Sequence, residues 1–557
     1  MFRFWFYIFL ICLLECLNSN AQTNCSTFSS YFGGLQFDEI KGVCVDANKN
    51  SYIIGNTYST DLPITQGLIN DTCSGSYDVF VAKFDSCGTL VWSTYFGTSA
   101  FDSGEKINID LEGNIVFCGY SAGTTLPASS GCFQPNNNGG YDCFITKITP
   151  NGSIIWCTYF GKSNGDFAYD IQTDELNNII IGGTSTSTNL YTTINSFQPN
   201  HKGNTDAFIA RFTKNGVLNW CTYYGGNGNE DIHALAVDNN FNIIGVGETF
   251  STNLNTSVGA YQPINEGNPD VYIIKLDSSC GRVFSTYLGG TGIEDARGIV
   301  TDSVNNIYVG GHTNSLDFDV TSSAYQTSLT GSGSDWYLSK WSASGTLLTS
   351  TLFGGNANDL SSRLILLPPN NVLLIGKTES TNIPVIGVNN QPTLTGSYDA
   401  FLTVFSGSNL QPIWSSFYGG SADEDVLDVS RFSSNKIILV GSTNSTNYPL
   451  SVNPYQNTLN NSNDGCISRI NIQNATSTGI PETGINNNLT VFPNPFSDFI
   501  YIRDSSVEFI EVTTVLGQII YSSNRTQQIN TENFEKGVYF ITTKNKMRST
   551  TYKVIKL

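Results

Sequence analysis

Trp220-Cys221-Thr222-Tyr223-Tyr224-Gly225-Gly226 is the stretch on which the fold of this chain turns. Variants of it recur with Tyr31, Tyr95, Tyr159, Tyr223, Tyr287, Leu352 and Phe417 in the central slot, at intervals of 64, 64, 64, 64, 65 and 65 residues. A fixed period of this length means stacked supersecondary units, each burying its apolar faces against its neighbours.

Each unit carries four short strands, A to D. In the unit opening at Tyr287, Glu294 and Asp295 lead into the apolar run 296–300, and 302–305 make a turn before strand 306–313. After a loop of 21 residues, Asp335 opens strand 336–341, and a Ser-Ala-Ser-Gly turn leads into strand 346–352. These runs are bounded by Gly, Asn, Asp and Ser, as strands are. The other units match. Strand B ends in Gly-x-Ser/Thr at Gly55, Gly119, Gly183, Gly247, Gly311, Gly376 and Gly441. Strand C follows Asp78, Asp142, Asp206, Asp270, Asp335, Asp399 and Asp464. Strand A follows Asp38, Asp102, Asp166, Glu230, Glu294, Asp359 and Glu424.

The two ends decide between a ring and an open stack. Thr27-Phe28-Ser29-Ser30 matches the fourth strand of the other units, with Phe28 in the slot of Trp92, Trp156, Trp220 and Trp414. No unit precedes it. The unit opening at Phe417 has three strands and no fourth, and the sequence turns polar beyond residue 472. An orphan strand at one end and a missing strand at the other predict a ring closed by the N-terminal strand. The expected fold is all-β: a seven-bladed β-propeller over 25–475, about 64 residues per blade, with residues 25–33 completing the last blade. Such a ring leaves only short, protected strand edges. The connection into strand A and the loop from B to C share one rim. The B–C loops run about 20 residues, beyond ordinary connections, whereas the other rim has tight turns such as Pro150-Asn151-Gly152. The long-loop face is the expected binding face.

Composition agrees with an all-β, turn-rich chain: 557 residues, 39% hydrophobic, 13% charged and 53 glycines. The net charge is −19, and the last 68 residues hold 8 Lys/Arg against 6 Asp/Glu, leaving about −21 on the rest. A field this negative repels phosphate backbones, so nucleic acid is not an expected partner. Residues 1–21 read as a signal peptide: Met-Phe-Arg, an apolar run over 4–17, then Asn-Ser-Asn-Ala before the cut. Glu15 before Cys16 spoils a lipoprotein-type cleavage site. The mature chain is expected to be exported, with no transmembrane segment. Eleven of the 13 cysteines follow the cut, in no recognisable disulfide framework. Most are expected to be buried thiols. A Cys25–Cys466 bridge is excluded by register, since the two fall at opposite ends of neighbouring strands.

Residues 476–489 read as a linker, and 490–557 as a separate small β-sandwich with strands near 499–502, 509–512, 519–521, 537–541 and 552–557. Two resemblances follow from these residues. The repeated Tyr-Phe-Gly-Gly, Asp, Gly-x-Thr and Asp-Ala-Phe-Ile-Ala-Arg pattern resembles the seven-bladed beta-propeller repeat of exported bacterial proteins. Blades six and seven depart from it, with Leu367 and Phe432 where the others have Asp46, Asp110, Asp174, Asp238 and Asp302. That resemblance implies a fold and no single activity. The tail resembles the C-terminal sorting domain of the type IX secretion system of Bacteroidota-like bacteria. The matching residues are Phe492-Pro493-Asn494-Pro495, Leu516-Gly517-Gln518, Gly537-Val538-Tyr539 and Lys553-Val554-Ile555-Lys556. It implies passage across the outer membrane by that machinery, removal of the tail, and release or attachment at the cell surface.

The carboxylate before strand A, the Ser/Thr ending strand B and the Asp before strand C form an oxygen-rich set on the long-loop rim of every blade. A ring of calcium sites would use such a set. Sevenfold repetition, and the lack of loops with alternating Asp, favour a hydrogen-bonded clamp. Gln134, Gln198, Gln262, Gln326, Gln391 and Gln456 are likewise read as loop pins. No metal or other cofactor is expected. Function is expected where blades differ. The x of Gly-x-Ser/Thr is Asn56, Tyr120, Thr184, Glu248, His312, Lys377 and Ser442, and Glu248, His312 and Lys377 fall in consecutive blades at one level. They are the candidate ligand-binding residues, weighed against three unrelated solvated side chains. The three histidines, His201, His233 and His312, share no metal-ligand spacing. No nucleophile elbow, phosphate loop or dinucleotide fingerprint stands in a suitable strand–helix context, so no catalytic residue is assigned. The preferred expectation is a non-enzymatic surface scaffold binding a glycan or protein. A carboxylate-dependent hydrolase or lyase, and a structural part of a surface layer or gliding apparatus, are the rivals.

Overall fold

The computed structural model describes residues 27–472 apart from Asn268 and Asn461, and then 491–492, 499–502, 509–514, 518–524, 528–531, 533–544 and 549–556. The chain divides into two compact units, Met1–Thr476 and Ser477–Leu557.

The first unit is a seven-bladed propeller of four-stranded antiparallel sheets. Blade one consists of Asp38–Val45, Ser51–Thr57, Asp78–Phe84 and Leu90–Phe96, from the channel outward, and this order repeats around the ring. Blades pack face to face, so strands B and C are covered on both sides. That is why they read as unbroken apolar runs rather than alternating ones: Asp206–Phe212 (DAFIARF) and Asp270–Leu276 (DVYIIKL) are buried at every position.

The ring closes as the ends of the repeat require. Phe28–Phe32 is the outermost strand of the seventh sheet, pairing antiparallel with Asp464–Asn471, Phe28 opposite Arg469 and Tyr31 opposite Cys466. Phe28 packs on Phe84 of blade one, ring centroids 5.6 Å apart, and on Gly88 in its C–D turn. In blades one to three a tryptophan takes this wedge position and its indole donates to the turn of the next blade, as Trp92 does to Pro150 O (3.1 Å) and Trp220 to Ser278 O (3.0 Å). Blades four and five carry Phe284 and Thr349 there, and Trp414 of blade six donates to Val388 O (2.7 Å).

The organising tyrosine pins the long loop. Tyr287 Oη donates to Ser251 O at 2.9 Å and accepts from Leu254 N at 2.8 Å. The loop then runs beside the outer strand: Ser257 N donates to Ser285 O (3.0 Å), and Tyr287 N to Gln262 O (3.0 Å). Blade seven repeats this on the N-terminal strand, through Ser451 N to Ser29 O and Tyr31 N to Gln456 O. Much of each B–C loop thus satisfies and shields an exposed strand edge, which narrows the expected long-loop binding face to its centre.

Nine described cysteines are free thiols, Cys466 among them, whereas Cys87, in the C–D turn of blade one, is disulfide-bonded to a partner outside the described residues. Cys25, the signal peptide and the linker expected at 476–489 also lie outside the described residues, and so do Pro493, Asn494, Pro495 and Gly517 of the sorting motif.

The second unit holds a three-stranded sheet (Val491–Phe492, Phe499–Ile502, Gln528–Asn530) and a four-stranded one (Ile519–Asn524, Phe509–Thr514, Gly537–Lys544, Ser549–Lys556). Ile500 and Ile529 of the first pack with Ile510, Val512 and Ile541 of the second. Tyr539 is buried in that core and donates to Glu535 O (2.6 Å), and Gly537, at φ 156°, opens the strand that carries it. The described residues contain no helix long and apolar enough to cross a membrane.

Candidate functional site

The repeated acids are clamps. Asp206 accepts from the backbone N–H groups of Lys202 (2.9 Å) and Gly203 (3.0 Å) and from Gln198 Nε2 (2.9 Å). Gln198 Oε1 accepts from Gly225 N (3.2 Å), while Glu230 on the other side accepts from Gly226 N (2.8 Å) and Thr249 Oγ1 (2.8 Å). A Cβ on Gly225 would lie 2.5 Å from the Asp206 carboxyl and 2.7 Å from Glu230, so the motif needs glycine between its two buried acids. Equivalent bonds hold Asp78, Asp142, Asp270, Asp335, Asp399 and Asp464. Burial raises the pKa of several of these acids: Asp142 and Asp359 to about 7, Asp38, Asp102 and Asp270 to about 6.

The non-repeating residues converge at the centre. The register between strands A and B skips one residue in six blades, leaving Lys41, Glu105, Tyr169, Arg297, Ser362 and Leu427 as bulges. His233 holds the same place in blade four, between Glu230, bridged to Thr249, and Ala234, paired with Val246. A bulge re-aims its side chain, and all seven face one cavity of about 670 Å³ in the channel, together with Tyr120, Asp295, His312, Lys377 and Asp425. The strand-B glycine permits the bulge: a Cβ on Gly311 would stand 1.8 Å from the Asp295 carbonyl oxygen and one on Gly441 1.9 Å from that of Asp425. The Gly-x-Thr motif and the cup therefore have one cause.

An ion network floors the cup. One residue past the bulge the blades carry Gly42, Lys106, Asp170, Ala234, Gly298, Arg363 and Asp428. Lys106 Nζ lies 2.5 Å from Asp428 Oδ1, and Arg363 lies 3.7 Å from both Asp170 and Asp428. Arg363 also donates to His233 O (3.3 Å), and the two aspartates accept from Leu235 N (2.7 Å) and Val43 N (2.9 Å). The small residues leave room for the long ones. A second cavity of about 340 Å³ lies along the inner strands on the other side of these groups.

The densest chemistry sits between blades four and five. His233 is flanked by Asp231 (Nε2–Oδ2, 3.0 Å) and Asp295 (Nδ1–Oδ1, 3.2 Å), and Arg297 Nε donates to Asp295 Oδ2 (2.5 Å). Burial opposes charge on His233, but the two carboxylates outweigh it and hold the imidazolium up to about 9. Burial likewise opposes charge on Asp295, yet His233 and Arg297 push its carboxyl well below the usual range. Glu248 is raised, to about 8, by burial and by the charges of Asp295 and Asp231, the direction opposite to that of Asp295 beside it. His233, Glu248 and Asp295 bring potential metal-ligand atoms within 4.8 Å of one another. However, both His233 nitrogens are engaged with carboxylates as donors, leaving no lone pair for a cation.

The three sequence-derived candidates divide. His312 and Lys377 line the cup, while Glu248 stands against Asp295 behind it. His312 Nδ1 is buried without a hydrogen-bond partner, and burial lowers its pKa. Lys377 pairs with Asp425 (3.2 Å) and lies 4.8 Å over the Tyr398 ring. Among the described residues no hydrogen bond or ion pair joins any two of the three. Sequence reasoning missed His233, Arg297, Tyr169 and the rest of the bulge column. Its signal was present: each stands ten residues after the Tyr slot, and the column shows no repeating residue type.

The fold and the tail define an all-β, seven-bladed propeller that carries a small sandwich domain at its C-terminus. Residues 283–319 match the beta-propeller repeat family, and residues 490–557 match the secretion system C-terminal sorting domain. A tail of this kind implies handling by the type IX secretion system and so export to the cell surface or beyond. Among curated proteins the chain is similar to an uncharacterized WD repeat-containing protein of Acanthamoeba polyphaga mimivirus, 23% identical over 226 residues, which is 33% of this chain and 16% of that one. Similar solved structures include a protein of unknown function from Dyadobacter fermentans (10% identity, TM-score 0.37, 80% of this chain and 98% of that one). A virginiamycin B lyase of Staphylococcus aureus (10%, TM-score 0.40, 80% and 99%) and an ulvan lyase (11%, TM-score 0.41, 74% and 92%) are similar at the same level.

Proposed function

We propose that this protein is an exported ligand-binding propeller, displayed at the cell surface or released from it, that takes a small polar ligand into the channel mouth on the long-loop rim. The observation that carries this reading is the seven-membered bulge column: one scaffold position per blade, occupied by Lys41, Glu105, Tyr169, His233, Arg297, Ser362 and Leu427, all on one cavity. A purely structural ring would gain nothing from seven different side chains at a symmetric position. The volume of about 670 Å³ is in the usual range for small-molecule sites, about 300–1,000 Å³. His312 and Lys377 belong to this site, with Glu248 as its buried acid. Residues 1–21 act as the signal peptide, and the tail is read by the secretion machinery. The test is a panel of soluble sugars, sugar acids and peptides, scored by calorimetry against the full chain and a Tyr169→Ala variant. Binding that the variant keeps unchanged would place the ligand elsewhere.

A second reading, a carboxylate-dependent hydrolase or lyase, has one observation in its favour. Glu248 and Asp295, side by side, are shifted in opposite directions, Glu248 up and Asp295 down, the separation that acid–base catalysis uses. Glu248→Gln separates the two: a binding protein keeps its affinity, whereas an enzyme loses turnover by about 10²-fold or more.

A further inference from the structure

The proposed ligand site contains two polar groups that the protein itself leaves unused. Arg297 is anchored through Nε to Asp295, and no hydrogen bond among the described residues occupies its two terminal nitrogens. Its side chain is 43% exposed, and it lines the cup. His312, on the neighbouring strand of the same blade and also lining the cup, has its buried Nδ1 without a partner. A buried polar atom left unsatisfied costs free energy that a ligand can return. Charge does not oppose an anion there. Lys41, Arg297, Arg363, Lys377 and His233 line the cup, each paired with a carboxylate (Glu105, Asp295, Asp170 and Asp428, Asp425, Asp231), so the cup is balanced in a chain of net charge −19.

We propose that the cup binds a polyhydroxylated carboxylate, in chemical class a sugar acid, with its carboxylate on the terminal nitrogens of Arg297 and a hydroxyl on Nδ1 of His312. This rests on the cup being the ligand site. A guanidinium fixed through Nε presents a planar pair of donors, which matches a carboxylate. The three carboxylates in the same cavity repel a second negative charge, so a monoanion is preferred to a phosphate dianion. Those carboxylates also accept hydrogen bonds from hydroxyls, and the aromatic side chains of Tyr120 and Tyr169 line the same cavity, where they can pack against the apolar parts of a sugar. The ion network of Lys106, Asp170, Arg363 and Asp428 closes the floor, so the cup takes one small acid or the end of a longer chain.

The test is isothermal calorimetry on the full chain at pH 7 with glucuronate, gluconate, glucose, acetate and inorganic phosphate. The expected result is that the two sugar acids bind about tenfold or more tightly than glucose, acetate and phosphate. Arg297→Gln should weaken them by about ten- to hundredfold, and His312→Phe by a smaller factor. If Arg297→Gln does not fold, Arg297→Lys keeps the charge, loses the planar pair, and should still weaken binding. Equal affinity in the Arg297 variants, or phosphate binding more tightly than glucuronate, overturns the proposal. Glucose or a peptide bound with loss in Tyr169→Ala, but indifferent to Arg297, overturns the sugar acid and leaves the ligand cup standing. No binding by any probe, in this set or in the wider panel, overturns both.

Discussion

Lys106 of blade two and Asp428 of blade seven meet at 2.5 Å, although 322 positions separate them in the chain. They meet beside blade one, whose residue at that level is Gly42, and Asp428 takes a second bond from Val43 N. Only a closed ring brings these two residues together.

This pair yields the first prediction. The Asp428 side chain is 1% exposed and that of Lys106 12%. Removing Lys106 leaves Asp428 with only the more distant Arg363 as a cationic partner, and removing the Asp428 charge leaves Lys106 unpaired, so Lys106→Met or Asp428→Asn should each destabilise, by up to about 3–5 kcal/mol. The double variant Lys106→Met/Asp428→Asn should recover much of that loss. Urea unfolding of the four proteins checks it; additive losses would show that the pair is not coupled.

Gly311→Ala should destabilise by about 1–3 kcal/mol, the usual cost of overpacking, because its Cβ falls 1.8 Å from the Asp295 carbonyl oxygen. The same change disturbs the bulge that aims Arg297. Thermal unfolding and ligand affinity should therefore fall together, and a stable protein with an unchanged cup would refute the link between motif and bulge.

Phe28→Ala removes a buried ring that packs on Phe84 and Gly88, and should cost about 3–5 kcal/mol. The loss falls at the seam, so hydrogen exchange should rise first in Asp464–Asn471 and the strand paired with it, Lys436–Thr443. Uniform loosening of all blades would contradict a local seam.

Stability should fall as pH rises from 6 to 9. The groups concerned bind protons more tightly when folded: Asp142 and Asp359 (about 7), Glu248 (about 8) and His233 (about 9) all stand above their ordinary values. Each contributes stability that is complete below its unfolded pKa and is lost as pH passes through the folded one. Asp295 has the opposite sign: its depressed pKa stabilises above the ordinary carboxylate range, and that contribution is lost on strong acidification. A maximum in mild acid follows, measured as Tm across pH 3 to 9. A Tm rising from pH 6 to 9 would sink the assignment.

The ring, its seam and its clamps were legible because each is a local pattern repeated. Tyr287 and its equivalents, Gly311 and Asp335 recur at fixed intervals, and the orphan strand around Phe28 has its complement missing at the other end. The cup was not. Glu248, His312 and Lys377 drew notice as exceptions within a motif, whereas Arg297 and His233 stand in a column with no motif at all. Nor does loop length alone tell where a loop runs, since Ser257 and Gln262 lie against an outer strand.

What the sequence determined by itself was therefore the scaffold: the number of blades, the closing strand, and a tail with its own apolar pattern. These follow from periodicity and burial, which act between near neighbours in the chain. Only the tertiary structure decided the site. A one-residue bulge per blade turns seven unrelated side chains toward a single axis, and their charges and pKa values arise from neighbours on other blades. Such electrostatic coupling depends on distance in space, which a linear order of residues does not contain.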